Sequence, residues 1–253
     1  MSQPEADIQK YVLRMGDNAL ILGQQVSAWC GHAPALEEDI AFANVALDLI
    51  GQATLWLNYA SELDEASRSA DDFAFLRGER EFTNALLTEQ PNGDFGQSLM
   101  RQYIFDAYHY PMLQGLTASK DLRIAEIAQK SVKEAAYHLE RSSDLIIRLG
   151  NGTDESRDYM QRALNKLWRY TGEFFASDDL DLKMLKLGVA PDLMQVKSQF
   201  DTHTSQLFVV ASLTMPEAPD LGNRGRQGLH TEHMGRLLAE MQYLQRSFPN
   251  ASW

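Results

Sequence analysis

The sequence predicts an all-α fold: a four-helix bundle made by the first four long segments of a 253-residue chain, with additional C-terminal helices packed around it as one domain, 1–253. Three observations predict it. Apolar residues recur in steps of three and four through each long segment, and convincing alternating strands are absent. With 44% hydrophobic residues the chain can also bury a sizeable core.

The first helix is expected at about 5–30, just after Pro4, with Ile8, Val12, Met15, Ala19, Leu22, Val26 and Trp29 on one face and Gly31 as its stop. Pro34 opens the second, whose seam reads Leu36, Ile40, Ala43, Leu47, Ile50, Thr54 and Leu57. A short helix at about 72–89 and the turn "QPNGD" lead to a third long helix at about 94–118. Pro111 lies inside it and should interrupt and kink it, because proline removes a backbone donor. The fourth helix, about 121–149, carries Ala125, Ala128, Val132, Ala135, Leu139, Ser142, Ile146 and Leu149, and the glycines of "GNG" at 150–152 suit a C-terminal cap. Helices at about 154–176, 191–212 and 231–247 follow. Between them, "SDDLDLKMLKLG" reads as an acidic connection and "TMPEAPDLGNRGRQG" as a surface loop. Met234, Leu237, Met241, Leu244 and Phe248 form a stripe on the last helix that must pack on something.

Lys plus Arg total 23 and Asp plus Glu 35, a net charge of −12, which argues against nucleic acid and against an anionic membrane surface. Cys30 is the only cysteine, so this chain alone offers no disulfide, no cysteine-based zinc site and no iron–sulfur ligation. A reducing, cytoplasmic setting is the expectation, with Cys30 as a buried structural thiol. The polar start "MSQPEADIQK" is unlike a signal peptide, and no membrane span is expected because no run of about 18 apolar residues occurs.

Bundles of this kind can hold two irons with one carboxylate from each of two helices and Glu-x-x-His from each of the other two. "KEAAYH" places Glu134 and His138 four apart, while the residue three before His138 is Ala135. "FDAYHYP" sets Asp106 and His109 three apart on one helix face. The second helix offers Asp48 and Gln52 but no glutamate or histidine near them, and the only glutamate of the first is Glu5, at its end. Spacing of four does not exclude a shared metal, yet this set lacks most of the anionic oxygen that iron centres need. A polar cluster in which Asp106 and His138 satisfy one another is the competing reading.

Elsewhere, "GLHTEH" puts His230 and His233 at ligand spacing with Glu232 between them, but too few further ligands lie nearby for zinc. The simpler reading is a helix entry capped by Thr231, with Glu232 favouring the N-terminal dipole. Tyr103, Tyr108, Trp168, Tyr170 and Phe174 read as core aromatics rather than a substrate pocket. "GNGTD" lacks the strand-then-helix context of a phosphate loop.

"WCGHAP", "ALDLIGQA", "EQPNGDF", "KEAAYHLERS", "RLGNGTD", "NKLWRYT" and "GLHTEHMGRLLAEMQYLQR", in this order over nearly the whole chain, resemble the C-subunit family of phenylacetyl-CoA epoxidases among the bacterial multicomponent monooxygenases. The resemblance implies a ferritin-like four-helix bundle with additional C-terminal helices, acting as the non-catalytic, structural partner of a homologous A subunit. It places the di-iron centre in that A subunit alone, and FAD, iron–sulfur and NADPH chemistry in a separate reductase, with further small subunits in the complex. Carried over by position, the catalytic relative's ligands fall on Leu49, Gln52, Asp106, Ala135 and His138, so the site is vestigial, while Asp48, His109 and Glu134 are polar neighbours. His230, Glu232 and His233 would then serve packing or partner contact. Two other functions stay open: an active di-iron oxidase with a rearranged site of Glu134, His138, Asp106 and His109, and a stand-alone helical binding module.

Overall fold

A computed structural model describes residues 3–217, 224–249 and 251, and among these every regular element is helical. They form two compact units, Met1–Pro91 with Arg224–Trp253, and Asn92–Asn223.

The first unit is built on a hairpin of α1 (Gln3–Ser27) and α2 (Leu36–Glu62). On α1 the expected face is inside: Val12, Met15, Ala19, Leu22 and Val26 are buried, and Trp29 is buried in the turn that follows. The helices come close at Gly16, where a Cβ would sit 2.9 Å from the Leu57 side chain. On α2 the expected seam is buried at Leu57 and half-buried at Ala43 and Ile50 but otherwise exposed. Leu36 and Leu47 are 71% and 67% exposed, whereas Phe42, Val45, Leu49, Gln52, Trp56 and Tyr59 are buried. That second set also steps by three and four, so periodicity could not choose between two apolar faces. The face with Phe42 and Trp56 buries the larger rings, each worth about 1.5–3 kcal/mol or more. The same all-round apolarity makes Leu36–Glu62 long and apolar enough to cross a membrane by composition, although 44% of its most apolar window is buried in this fold.

No long helix fills 72–89. Ser69 and Asp72 cap the short α3 (Ala70–Phe75), a 3₁₀ turn follows at Glu79–Glu81, and 82–90 is an irregular segment with Phe82, Asn84, Leu87, Thr88 and Glu89 wholly buried. Buried backbone needs partners, and α1 supplies them. Asn18 Oδ1 accepts from the Ala85 N–H at 2.8 Å, Gln25 donates to the Glu89 carbonyl at 3.0 Å, and Asp17 accepts from the Thr83 N–H at 2.8 Å. Asp17 also pairs with the buried Arg77, whose guanidinium lies 4.1 Å from the Phe82 ring centre. The C-terminal helix breaks at Gln242 into α9 (Glu232–Met241) and α10 (Tyr243–Ser247), because Gln242 turns inward to donate to the carbonyls of Ala74 and Arg77. Its expected stripe is corrected accordingly: Met234 and Leu238 are buried, Leu237 and Met241 are half-buried, and Leu244 and Phe248 are exposed. Residues 218–223 of the expected surface loop lie outside the described residues, and a 3₁₀ turn at Gly225–Gln227 ends it.

The second unit centres on α4 (Phe95–Leu116), which is buried along nearly its whole length against α5 (Leu122–Gly150), α6 (Asp154–Leu167) and α8 (Leu193–Val210). Asp94 caps α4, and the helix runs on through Pro111 rather than being interrupted there. Packing on three sides offsets the missing donor. On α5 the expected seam is inside, with Val132 and Leu149 half-buried. Its cap is Asn151 at φ −99°, not a left-handed glycine. Gly150 is needed for another reason: a Cβ there would lie 2.0 Å from the Ala211 carbonyl oxygen.

The expected 154–176 helix is α only to Leu167 and continues as a 3₁₀ stretch, Trp168–Phe174. The acidic connection is itself a helix, α7 (Asp179–Leu187), started by a reciprocal Asp178–Asp181 capping box. Of the aromatics read as core, Tyr103, Tyr108, Trp168 and Phe174 are buried and Tyr170 is half-buried. Tyr108 stacks on Phe174 with ring centres 4.2 Å apart, and Trp168 stacks on Phe200 at 5.6 Å.

Candidate functional site

In the second unit, α4 and α5 bring together Asp106, His109 and His138. Asp106 is only 1% exposed, and both of its oxygens are engaged: Gln102 Nε2 donates to Oδ1 at 2.7 Å and Ser142 Oγ to Oδ2 at 3.0 Å. Sequence reasoning singles out neither partner, although Gln102 precedes Asp106 by one turn and Ser142 follows His138 by one turn. Burial pushes the Asp106 carboxyl up to about 7, and the charge of His138, the Gln102 and Ser142 hydrogen bonds and the charge of Arg141 only partly oppose it. His138 thus acts on Asp106 through its charge, while the hydrogen bonds come from Gln102 and Ser142. His109 stacks on Phe105 with ring centres 4.8 Å apart, and burial, reinforced by the charge of His138, pushes it down to about 3. It is a neutral imidazole at ordinary pH.

These residues do not fit a two-iron centre. Ala135 is fully buried with no ligand atom to offer, and Glu134, one position away on the helix, is rotated by about 100° from it. Among the described residues no three His, Cys, Asp or Glu side chains gather as a metal-holding group. In the first unit, Leu49 and Gln52 are buried on α2 and Asp48 is half-buried. Mid-helix on α1, Asp17 is committed to Arg77 and Thr83.

The "GLHTEH" histidines diverge. His230 points into the first unit, with Nδ1 2.8 Å from Glu89 Oε2, whereas His233 is 31% exposed on its side chain and 3.8 Å from Glu232 Oε1. Thr231 does not cap α9 with its side chain; its backbone N–H donates to Glu89 Oε1 at 2.6 Å. Glu89 escapes sequence reasoning because nothing local marks it. His233 and Arg236 instead line an open cleft of about 480 Å³ with Gln24, Gln25, Ser27 and Glu240. Cys30 is exposed rather than buried, in the turn after α1.

Comparison with known proteins adds two findings. The profile of the family described as "Phenylacetic acid catabolic protein" matches residues 2–253. The chain is also similar to the C subunit of 1,2-phenylacetyl-CoA epoxidase from Escherichia coli (strain K12), at 46% identity over 243 residues, which is 96% of this chain and 98% of that relative.

Proposed function

The chain belongs to the phenylacetic acid catabolic protein family and has its all-α, ferritin-like fold, and from that premise we propose that it is the non-catalytic, structural C subunit of a phenylacetyl-CoA ring 1,2-epoxidase complex. In this reading 1–253 is a single functional domain that stabilises a homologous catalytic A subunit in the cytoplasm and helps shape its substrate site. The di-iron centre of that partner supplies the oxygen activation. A separate reductase with FAD, iron–sulfur and NADPH supplies electrons, and further small subunits complete the assembly.

The observation that carries the reading is the filled interior of α4 and α5: a methyl group at Ala135, and an Asp106 whose oxygens are taken up by neutral side chains. Hard iron centres need several anionic oxygens, and Leu49 and Gln52 add none. Against the rearranged-site oxidase stands the lack, among the described residues, of any three His, Cys, Asp or Glu side chains gathered as a metal-holding group.

Co-expression with the A subunit and iron analysis test the proposal. A stable hetero-oligomer at micromolar concentration is expected, with an interface burying on the order of 2,000 Å² or more in total. The chain purified alone should hold no stoichiometric iron. Separate migration of the two chains, or roughly two irons per molecule of the isolated chain, would overturn it.

A further inference from the structure

The first unit carries a second buried histidine–carboxylate pair, which the proposed function does not use. His230, just before α9, reaches back to the irregular 82–90 segment. Its Nδ1 lies 2.8 Å from Glu89 Oε2 and its Nε2 3.0 Å from the Phe82 carbonyl oxygen, and the side chains of both His230 and Glu89 are fully shielded from solvent. A backbone carbonyl can only accept. Glu89 is already surrounded by donors, since the Thr231 N–H gives to Oε1 at 2.6 Å and Asn84 Nδ2 to Oε2 at 3.3 Å. A neutral imidazole has one N–H, so it would leave the lone pair of its other nitrogen facing an oxygen. With both facing oxygens acting as acceptors, only the imidazolium satisfies both contacts.

We propose that Glu89 and His230 form a proton-operated latch, which holds the start of α9 on the 82–90 segment while His230 carries both ring protons and releases it when one is lost. The surroundings support the charged form. Burial alone would lower the His230 pKa, but the Glu89 hydrogen bond and charge, the Phe82 carbonyl and the charge of Glu79 outweigh it, and the net direction is upward. Beyond Phe82, the charge of Arg77 is met by Asp17. Arg226 is buried in the turn before His230, and Glu232 and His233, next on α9, lie 3.8 Å from one another. Because the folded pKa is raised, the latch is fully closed below the ordinary histidine value near 6.5 and opens as pH climbs through the raised value.

The test uses the full chain, with its histidine rings assigned by NMR and titrated from about pH 5.5 to 9.5, a range spanning the ordinary histidine pKa. His230 is expected to be an imidazolium at pH 7, with a midpoint above that of an ordinary histidine; a neutral ring at pH 7 overturns the latch. Hydrogen exchange, corrected for the intrinsic pH dependence, should show α9 amides losing protection through the same midpoint. Unchanged protection through that midpoint also overturns it. In Glu89→Gln, which keeps the shape but removes the charge, the His230 midpoint should fall by about one pH unit or more, a tenfold change in proton affinity. An unshifted midpoint in that variant counts against the pairing, and if the variant does not fold, the wild-type titration and exchange decide alone.

Discussion

Asp106 on α4 and Glu89 in the irregular segment are both carboxylates hidden from water beside a histidine, yet their surroundings treat charge in opposite ways. Around Asp106 burial dominates: the carboxyl rises to about 7 and His109 falls to about 3, so both groups are moved towards their neutral forms. Around Glu89 the partners dominate, and His230 is held above its ordinary value despite burial. The difference lies in the donors. Asp106 takes its hydrogen bonds from a neutral amide and a hydroxyl, whereas Glu89 takes a backbone N–H, an amide and an imidazolium N–H. A carboxylate in a protein interior keeps its charge only where donors and a counter-charge replace its water.

The contrast can be broken most sharply at Glu89. Glu89→Ala strips the acceptor from His230, Thr231 and Asn84 together, and should cost about 3–5 kcal/mol in chemical denaturation, the usual loss when one member of a buried pair is removed. At Asp106 the expected sign is reversed. A carboxyl raised in the folded state makes wild-type stability fall as pH rises from the unfolded value near 4 towards 7, because the folded chain retains a proton that the unfolded chain gives up. Asp106→Asn keeps acceptor and shape but cannot ionise. Its stability relative to wild type should therefore improve over that pH range by up to about 4 kcal/mol. Equal pH dependence in the two proteins would show that Asp106 is an ordinary ion.

Two smaller effects sharpen the picture. Leu238→Asp places a charge in a buried contact and should cost about 3 kcal/mol, while Leu237→Asp, beside the open cleft, should cost under about 1 kcal/mol. Thermal melts of the two variants side by side decide which residue anchors α9. His138→Ala should lower stability by about 1–3 kcal/mol while leaving turnover of the complex proposed above largely intact. Lost turnover with preserved assembly and melting would return the histidine to the chemistry.

The parts of the fold legible in the sequence are those where one helix face is apolar and the other polar. The seams of α1 and α5 are of this kind. On α2 both faces are apolar, and choosing between Leu47 and Phe42 requires knowing where α1 lies. The cap of α7 is written in Asp178 and Asp181, but the acidic run around it also reads as a connection. Residues 82–90 cannot be read at all, since what stabilises them comes from Asp17, Asn18 and Gln25 on another helix. For the proposed vestigial site, Ala135 can be read from the spacing to His138, whereas Leu49 is marked only by the family resemblance. Gln102 and Ser142 are legible in principle as helical neighbours of Asp106 and His138. Glu89 is not, because its histidine lies 141 residues further along the chain.

That separation governs the order in which the molecule can be completed. The first compact unit is discontinuous in sequence, and Asn92–Asn223 must be made between its two parts. During synthesis, α1, α2 and the segment that carries Glu89 leave the ribosome well before His230, Thr231 and Gln242 exist to meet them. Contacts so distant in sequence form late and slowly, since a long loop must close before any of them is gained. Until then Phe82 and Glu89 lack the contacts that His230 and Thr231 supply, which makes the nascent chain, rather than the finished protein, the stage most exposed to aggregation and to chaperone capture.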